Sequence, residues 1–284
     1  MTTVPITDSA RRRRPLLISM LVALVLLLGA GGLAATPVAS AATANRTKPT
    51  VVLVHGAFAD ASGWNDVVRQ LQRQGYPVIA PANPLRGVAS DSAYVASILA
   101  TLTGPIVLVG HSYGGMVITA AANGNPNVKA LVYVAAFAPD AGDTVEGLQT
   151  KFPGSKLSPA ALDFRPYLLP DGSPSVDGYV KPALFRDIFA GDLPAATTAV
   201  MAATQRPGDG HTLQEPAGAP AWKTIPSWYL VARNDNLIPA AAQRFMAGRA
   251  NAHKVEVNAS HVAMMSKPTA VVDLVTDAAR TTVR

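Results

Sequence analysis

The stretch GHSYGG, residues 110–115, decides how the rest of this chain is read. It follows the apolar run PIVLV (105–109) and precedes the small, apolar MVITAAA (116–122), so a lone serine stands between glycines where a strand gives way to a helix. A Gly-x-Ser-x-Gly turn reverses the chain so sharply that the serine is held in a strained backbone conformation. Side chains at the flanking positions would collide with the neighbouring strand or helix. Gly110 and Gly114 remove those collisions, and Ser112 is presented at the C-terminal edge of a sheet with a helix N-terminus beneath it. That is the placement a nucleophile needs, and the hydroxyl is expected to be exposed there.

Working outward, the segments 50–56, 76–83, 105–112, 128–137, 227–235 and 253–260 are short β-branched runs with polar or Gly/Pro ends, and they read as buried parallel strands. Helical segments lie between them at 64–74, 92–102, 116–122, 239–250 and 268–283. In the last of these Val271, Leu274, Val275 and Ala278 share one face. Strand and helix in alternation predict an α/β fold, a mostly parallel six-stranded sheet with helices on both faces. One interval breaks the rhythm. From about Pro139 to Lys223, after the fourth strand, the chain is rich in proline, glycine and aromatics and shows no strand pair. An excursion of that length is too long for a loop and reads as a mainly helical cap over the strand ends.

A serine hydroxyl needs a base, and the base needs an orienting acid. Of five histidines, His261 follows the last strand and faces the same sheet edge as Ser112, while Asp235 stands just past the preceding strand in a turn closed by Pro239. The attacked oxygen gains charge, which preorganised backbone N–H groups stabilise by roughly 3 kcal/mol per donor. Tyr113 N–H is one donor. The second comes from the turn HGAF (55–58), where Gly56 lets the backbone approach: Ala57 is the first choice and Phe58 its neighbour. Phe58 and Tyr113 are also expected to line the substrate pocket, with aromatic residues of the cap.

The 284 residues are 49% hydrophobic and 15% charged, a globular composition with one domain's worth of core. The net charge of +6 owes half its value to Arg11–Arg14, offset by Asp8, and a nucleic-acid partner is not expected. Residues 1–44 read as an export leader: a basic start, an apolar stretch from Leu16 to Leu28, then Ala39-Ser40-Ala41 and Ala42-Thr43-Ala44 as cleavage sites. Arg13-Arg14 partly resembles the signal for exporting folded proteins, and the general secretory route remains open. The competing reading is an uncleaved anchor, since Leu16–Ala35 is uncharged and long enough to span a membrane. With cleavage the mature domain, 45–284, is secreted and leaves the membrane. Absent cysteine says nothing either way. A metal hydrolase finds no H-E-x-x-H and no histidines at ligand spacing.

The segments VVLVHGAFADASGW, VLVGHSYGGMVIT, LVYVAAFAPDAGD, PSWYLVARNDNLIP and ASHVAMMSKP resemble α/β-hydrolases of the bacterial esterase branch related to plant methyl-ester esterases and hydroxynitrile lyases. The order Ser112, Asp235, His261 is that of the family's triads. The resemblance runs from about Thr50 to the C-terminus. It implies a six-stranded core without the usual first hairpin, a Ser112–His261–Asp235 triad, an oxyanion hole of Ala57 and Tyr113 N–H, a small-molecule ester substrate and no cofactor. The lyases carry a threonine where Gly56 stands and a lysine where Val262 stands, so cyanohydrin cleavage is not expected. Cofactor-free perhydrolases share the same machinery and stay open as an alternative. A non-catalytic exported binding protein on the same fold is the other alternative, though such chains usually lose a triad member.

Overall fold

The computed structural model describes residues 48–283. The leader 1–44 lies outside the described residues, and among those described no helix is long and apolar enough to cross a membrane. The chain runs β1 (Thr50–Val54), α1 (Asn65–Arg73), β2 (Val78–Ile79), α2 (Val88–Ala100), β3 (Ile106–His111), α3 (Gly114–Ala121) and β4 (Val128–Val134). The excursion then contributes α4 (Val145–Thr150), β5 (Leu162–Leu168), β6 (Pro174–Val180), α5 (Pro182–Phe189), α6 (Ala195–Thr204), β7 (Gly208–Asp209) and α7 (His211–Gln214). The chain returns with β8 (Ser227–Ala232), α8 (Ala240–Arg249), β9 (His253–Val257), α9 (Ala263–Ser266) and α10 (Pro268–Thr282).

The main sheet has the order β2-β1-β3-β4-β8-β9, and every pairing is parallel. Its central strands are buried along their length, which is why they read as continuous apolar runs instead of alternating ones. β3 lies beside β1 in register Val52 to Leu108, and beside β4 in register Leu108 to Leu131. At the far edge β9, HKVEV, is not the buried strand the sequence suggests: His253, Lys254 and Val255 are exposed because no further strand covers them, and the charges of Lys254 and Glu256 blunt the unpaired edge. α3 packs on β1, β3 and β4 with α2 against it, and α10 packs on β3, β4 and β8 with α1 beside it. Pro268 opens α10, where its missing N–H costs nothing, and Val271, Leu274, Val275 and Ala278 are buried along it as the spacing predicts.

Two expectations need correcting. The second strand is two residues long, not eight, because Pro77 and Pro81 flank it and cannot donate to a ladder. The cap is also not free of strand pairs. Helices predominate in it, but β5 and β6 form an antiparallel hairpin from Leu162 opposite Val180 to Leu168 opposite Pro174, and β7 extends it. Asp171-Gly172 makes the turn, with Gly172 at φ 82°, a conformation that side chains disfavour. Pro166 is tolerated in β5 because that strand is an edge.

Candidate active site

Ser112 follows the last residue of β3 with φ 54°, a left-handed conformation that costs a non-glycine residue energy and persists only where its surroundings enforce it. Those surroundings are backbone. A Cβ on Gly110 would lie 2.7 Å from the Gly114 carbonyl oxygen, and one on Gly114 would overlap the Val54 carbonyl oxygen of β1. A Cβ on Gly115 would overlap the Phe137 carbonyl oxygen. The Ser112 carbonyl in turn accepts the N–H groups of Gly115 at 2.9 Å and Phe137 at 3.1 Å, which pins the turn between α3 and the end of β4. Ser112 is 4% exposed, so the hydroxyl lies beneath the cap and not in open solvent as the sequence suggests.

Asp235 and His261 meet. The His261 Nδ1–H donates to Asp235 Oδ2 at 2.7 Å, with both side chains fully buried. Asp235 is oriented independently of the histidine: Oδ1 accepts the N–H groups of Leu237 at 2.7 Å and Ile238 at 2.9 Å, and Oδ2 also accepts Gln243 Nε2 at 2.8 Å. Gln243, wholly buried on α8, is itself held by the Ala232 N–H and the Ile238 carbonyl. The sequence reading missed it, since one polar residue on a helix carries no pattern. His261 Nε2 is buried and has no hydrogen-bond partner among the described residues. Its ring lies against that of His111, the residue before Ser112, with centroids 4.6 Å apart.

His111 supports this arrangement from inside the core. Its Nε2–H donates to the His261 carbonyl at 2.9 Å. His55 does the same for the turn after β1: Nδ1–H donates to the Gly56 carbonyl and Nε2 accepts the Asn83 N–H, each at 2.9 Å. Burial pushes His55 below the ordinary histidine value of 6.5 and His111 well below it, the latter helped by the neighbouring His261. Both therefore stay neutral in the folded protein while the unfolded chain takes up protons below about pH 6.5. The sign is a loss of stability on acidification, up to about 1.4 kcal/mol per pH unit for each such histidine. The thermal midpoint should fall as pH drops from 7.5 to 5, and His111→Gln should flatten the fall. A midpoint constant over that range would contradict this.

Two backbone N–H groups, one in the turn after β1 and one directly after the serine, have no acceptor among the described residues. Ala57 N–H and Tyr113 N–H donate to no described residue, whereas the Phe58 N–H is spent on the Arg206 carbonyl at 2.8 Å. Of the two choices after β1, Ala57 is therefore the free donor, and Phe58, with φ 61°, serves as wall. Gly56 is needed beside it, because a Cβ there would sit 2.6 Å from Ser112 Cβ. The Tyr113 hydroxyl donates to Asp91 Oδ2 at 2.8 Å. That aspartate is fully buried, and burial raises it above the usual carboxylate range.

Ser112 lines a small cavity of about 50 Å³. Ala57, Phe58 and Tyr113 line its floor, and Phe164, Val176 and Leu213 come from the cap. No lysine, arginine or acid lines it; Gln149 and Thr212 are among its few polar side chains. The cap is stapled down beside it by Arg86, which donates to Asp177 Oδ1 at 2.8 Å and to Tyr167 Oη, which donates in turn to the buried Asp209 at 2.6 Å.

This fold and this turn are those of a known group, and the sequence profile of the alpha/beta hydrolase family matches residues 51–274. The chain belongs to the α/β-hydrolase family. It is similar to a pyrethroid hydrolase of Sphingobium wenxiniae, 29% identical over 257 residues that span 81% of this chain and 88% of that one. Methylesterase 8 of Arabidopsis thaliana is 25% identical over 227 residues, 70% of this chain and 77% of that one. Among solved structures, polyneuridine aldehyde esterase superposes with a TM-score of 0.70 at 21% identity, covering 81% of this chain and 98% of the other. The hydrolase and esterase relatives agree with the resemblance read from the motifs, and this α/β-hydrolase is an ester-hydrolysing enzyme.

Proposed function

We propose that the protein is a secreted serine carboxylic-ester hydrolase acting on small to medium esters through Ser112, His261 and Asp235. The observation that carries the reading is His261: its Nδ1 is committed to Asp235 while its Nε2 is buried and free beside the strained serine turn. Ser112 Oγ attacks the ester carbonyl carbon as its proton passes to His261 Nε2. The carbonyl oxygen becomes an oxyanion held by Ala57 and Tyr113 N–H. Collapse breaks the bond to the alcohol oxygen, which takes the proton from His261, and an acyl-Ser112 remains. Water then attacks the acyl carbon, again giving its proton to Nε2, and the acid leaves as Ser112 recovers the proton. Asp235 stabilises the imidazolium formed in each half. No Ser112–His261 hydrogen bond is present in the free protein, and such bonds commonly tighten only with substrate in place.

The apolar cavity supports a neutral or aromatic ester over a polyanionic one. On a panel of p-nitrophenyl esters of increasing acyl length, short and medium acyl groups should turn over faster than a long-chain triglyceride emulsion, and a serine-reactive inhibitor should stop the reaction. Faster hydrolysis of the emulsion would contradict the reading. Cyanohydrin cleavage has little support, since a threonine in place of Gly56 would press on Ser112 and the position after His261 is a fully buried valine. Export is proposed from the leader alone. Protein recovered from the medium should begin near Ala42 or Asn45 by intact mass, and full-length chain held in membranes would favour the anchor instead.

A further inference from the structure

The two loops that carry the acid and the base are both held by one short stretch of the cap. Asp192, in the turn between α5 and α6, accepts the Ser260 N–H on Oδ2 at 2.9 Å and the Ser260 Oγ–H on Oδ1 at 2.5 Å. Ser260 is 5% exposed and immediately precedes His261. Phe189, at the end of α5, stands edge-on to the His261 ring with centroids 5.1 Å apart. On the acid's side, Asn236 follows Asp235 directly, and its Nδ2 donates to the Asp187 carbonyl at 2.8 Å while its own carbonyl accepts the Lys156 N–H at 2.7 Å. Burial alone would raise the Asp192 carboxyl, but the hydrogen bonds it accepts, those from Ser260 foremost, outweigh it and hold the group below the usual carboxylate range. It is therefore an ionised acceptor at neutral pH, and charged acceptors make the stronger hydrogen bonds.

These ties matter because the loop's other hydrogen bonds flank this point, with the Ala259 carbonyl accepting the Asn234 N–H and the Val262 carbonyl accepting the Met265 and Ser266 N–H groups, while Ser260 itself is held by Asp192. Besides Asp235, His261 is held through its backbone by His111 Nε2 and through its ring by His111 and Phe189. Of these, the Phe189 contact comes from the cap, as does the Asp192 grip on the preceding residue. We propose that Asp192 is a positioning residue: by gripping Ser260 it sets the His261 ring between Asp235 and Ser112, so the cap completes the catalytic base as well as covering the pocket. The inference rests on the reading of His261 as general base and names a residue outside the triad on which that base depends.

The test compares Asp192→Ala, Asp192→Asn and Ser260→Ala with the parent enzyme, using p-nitrophenyl butyrate for kcat and KM and the low-field proton resonance of His261 Nδ1–H for the imidazole's setting. Asp192→Ala should lower kcat about 10- to 100-fold, the scale of a misplacement of about 1 Å, with KM within about twofold. Its Nδ1–H resonance should shift or broaden. Asp192→Asn keeps a carbonyl acceptor for Ser260 and should retain more activity than the alanine variant. Ser260→Ala keeps the amide bond and should lose roughly the same few-fold as the asparagine variant. Should Asp192→Ala not fold, the other two decide. A folded Asp192→Ala enzyme with parental kcat and an unmoved resonance would overturn the proposal, as would a loss confined to KM. Ser112→Ala separates the two readings: if it is inactive while Asp192→Ala runs at full rate, only the role of Asp192 falls, and if it is active the hydrolase assignment falls first.

Discussion

Ser112→Ala should reduce kcat by roughly six orders of magnitude, and His261→Ala by a similar factor, with the double variant hardly worse because the two side chains act as a unit. Asp235→Asn should cost roughly four orders. Its geometry here explains why it is damaging at all. Asp235 Oδ2 accepts from both His261 Nδ1–H and Gln243 Nε2–H, while Oδ1 accepts from two backbone N–H groups, so every neighbour of the carboxylate is a donor. An amide NH₂ at either position confronts another donor. If it turns toward His261, the imidazole must move its proton to Nε2, where it can no longer receive one from Ser112. The sequence suggests that all three side chains lie at a sheet edge away from the core, but they are 4%, 6% and 0% exposed for Ser112, Asp235 and His261. Ser112→Ala should fold unchanged, whereas His261→Ala leaves the buried Asp235 one donor short and should lose about 1–3 kcal/mol. Turnover of the ester panel together with circular dichroism measures both effects. Near-normal hydrolysis by folded Ser112→Ala would reduce GHSYGG to a tight turn.

Gly115→Ala should yield little or no folded enzyme, a destabilisation at or above about 3 kcal/mol from a single methyl group. The methyl would overlap the Phe137 carbonyl oxygen and come to 3.0 Å from Ala136 Cβ. Neither neighbour is the far end of a flexible side chain, so α3 and the end of β4 would have to separate, and the Phe137 N–H would leave the Ser112 carbonyl. Gly248→Ala is the fitting control. It sits in α8 with nothing within 4 Å of an added Cβ, and alanine there should be neutral or stabilise by up to about 1 kcal/mol. Thermal melts of the two variants should differ by about 6 °C or more for a domain of this size. Equal melting points would mean that the turn relaxes freely around Ser112.

The four central strands were legible because buried parallel strands are apolar on both faces, whereas the edge strands β2 and β9 are only partly buried and showed as short β-branched runs. Ser112 was legible from its glycines, and Asp235 and His261 from their places just past strands. What the sequence hides is whatever depends on a partner distant along the chain. Ala57 is preferred to Phe58 in the sequence, but the physical reason, the Phe58 N–H spent on Arg206, lies far along the chain, and Gln243 and Asp192 have no local signature. The cap hairpin was missed for a different reason. Pro166, Pro170 and Pro174 and the charges of Asp163 and Arg165 obscure its alternation, although Asp171-Gly172 between two apolar runs is itself a hairpin signal. Gly115 was visible as a letter, but its role was not, because the obstacle is a carbonyl from the end of another strand.

The cap leaves the sheet after β4 and returns at β8, and those two strands are hydrogen-bonded neighbours in register Val132 to Trp228. The strands are parallel, so the chain leaves at the C-terminal end of β4 and re-enters at the start of β8, and the two ends of the insertion meet where Trp222 Nε1–H donates to the Pro139 carbonyl at 2.6 Å, a closure that lets one segment be exchanged for another without altering the frame's ladder. Chimeras that graft a relative's cap between these strands should keep the sheet and acquire a differently shaped cavity. Asp192 sets the condition for success, since a donor segment lacking an acid at the matching point would bring new walls to the pocket but leave Ser260 without its partner. Specificity in this scaffold is modular only to the extent that the transplanted piece carries its own grip on the histidine loop.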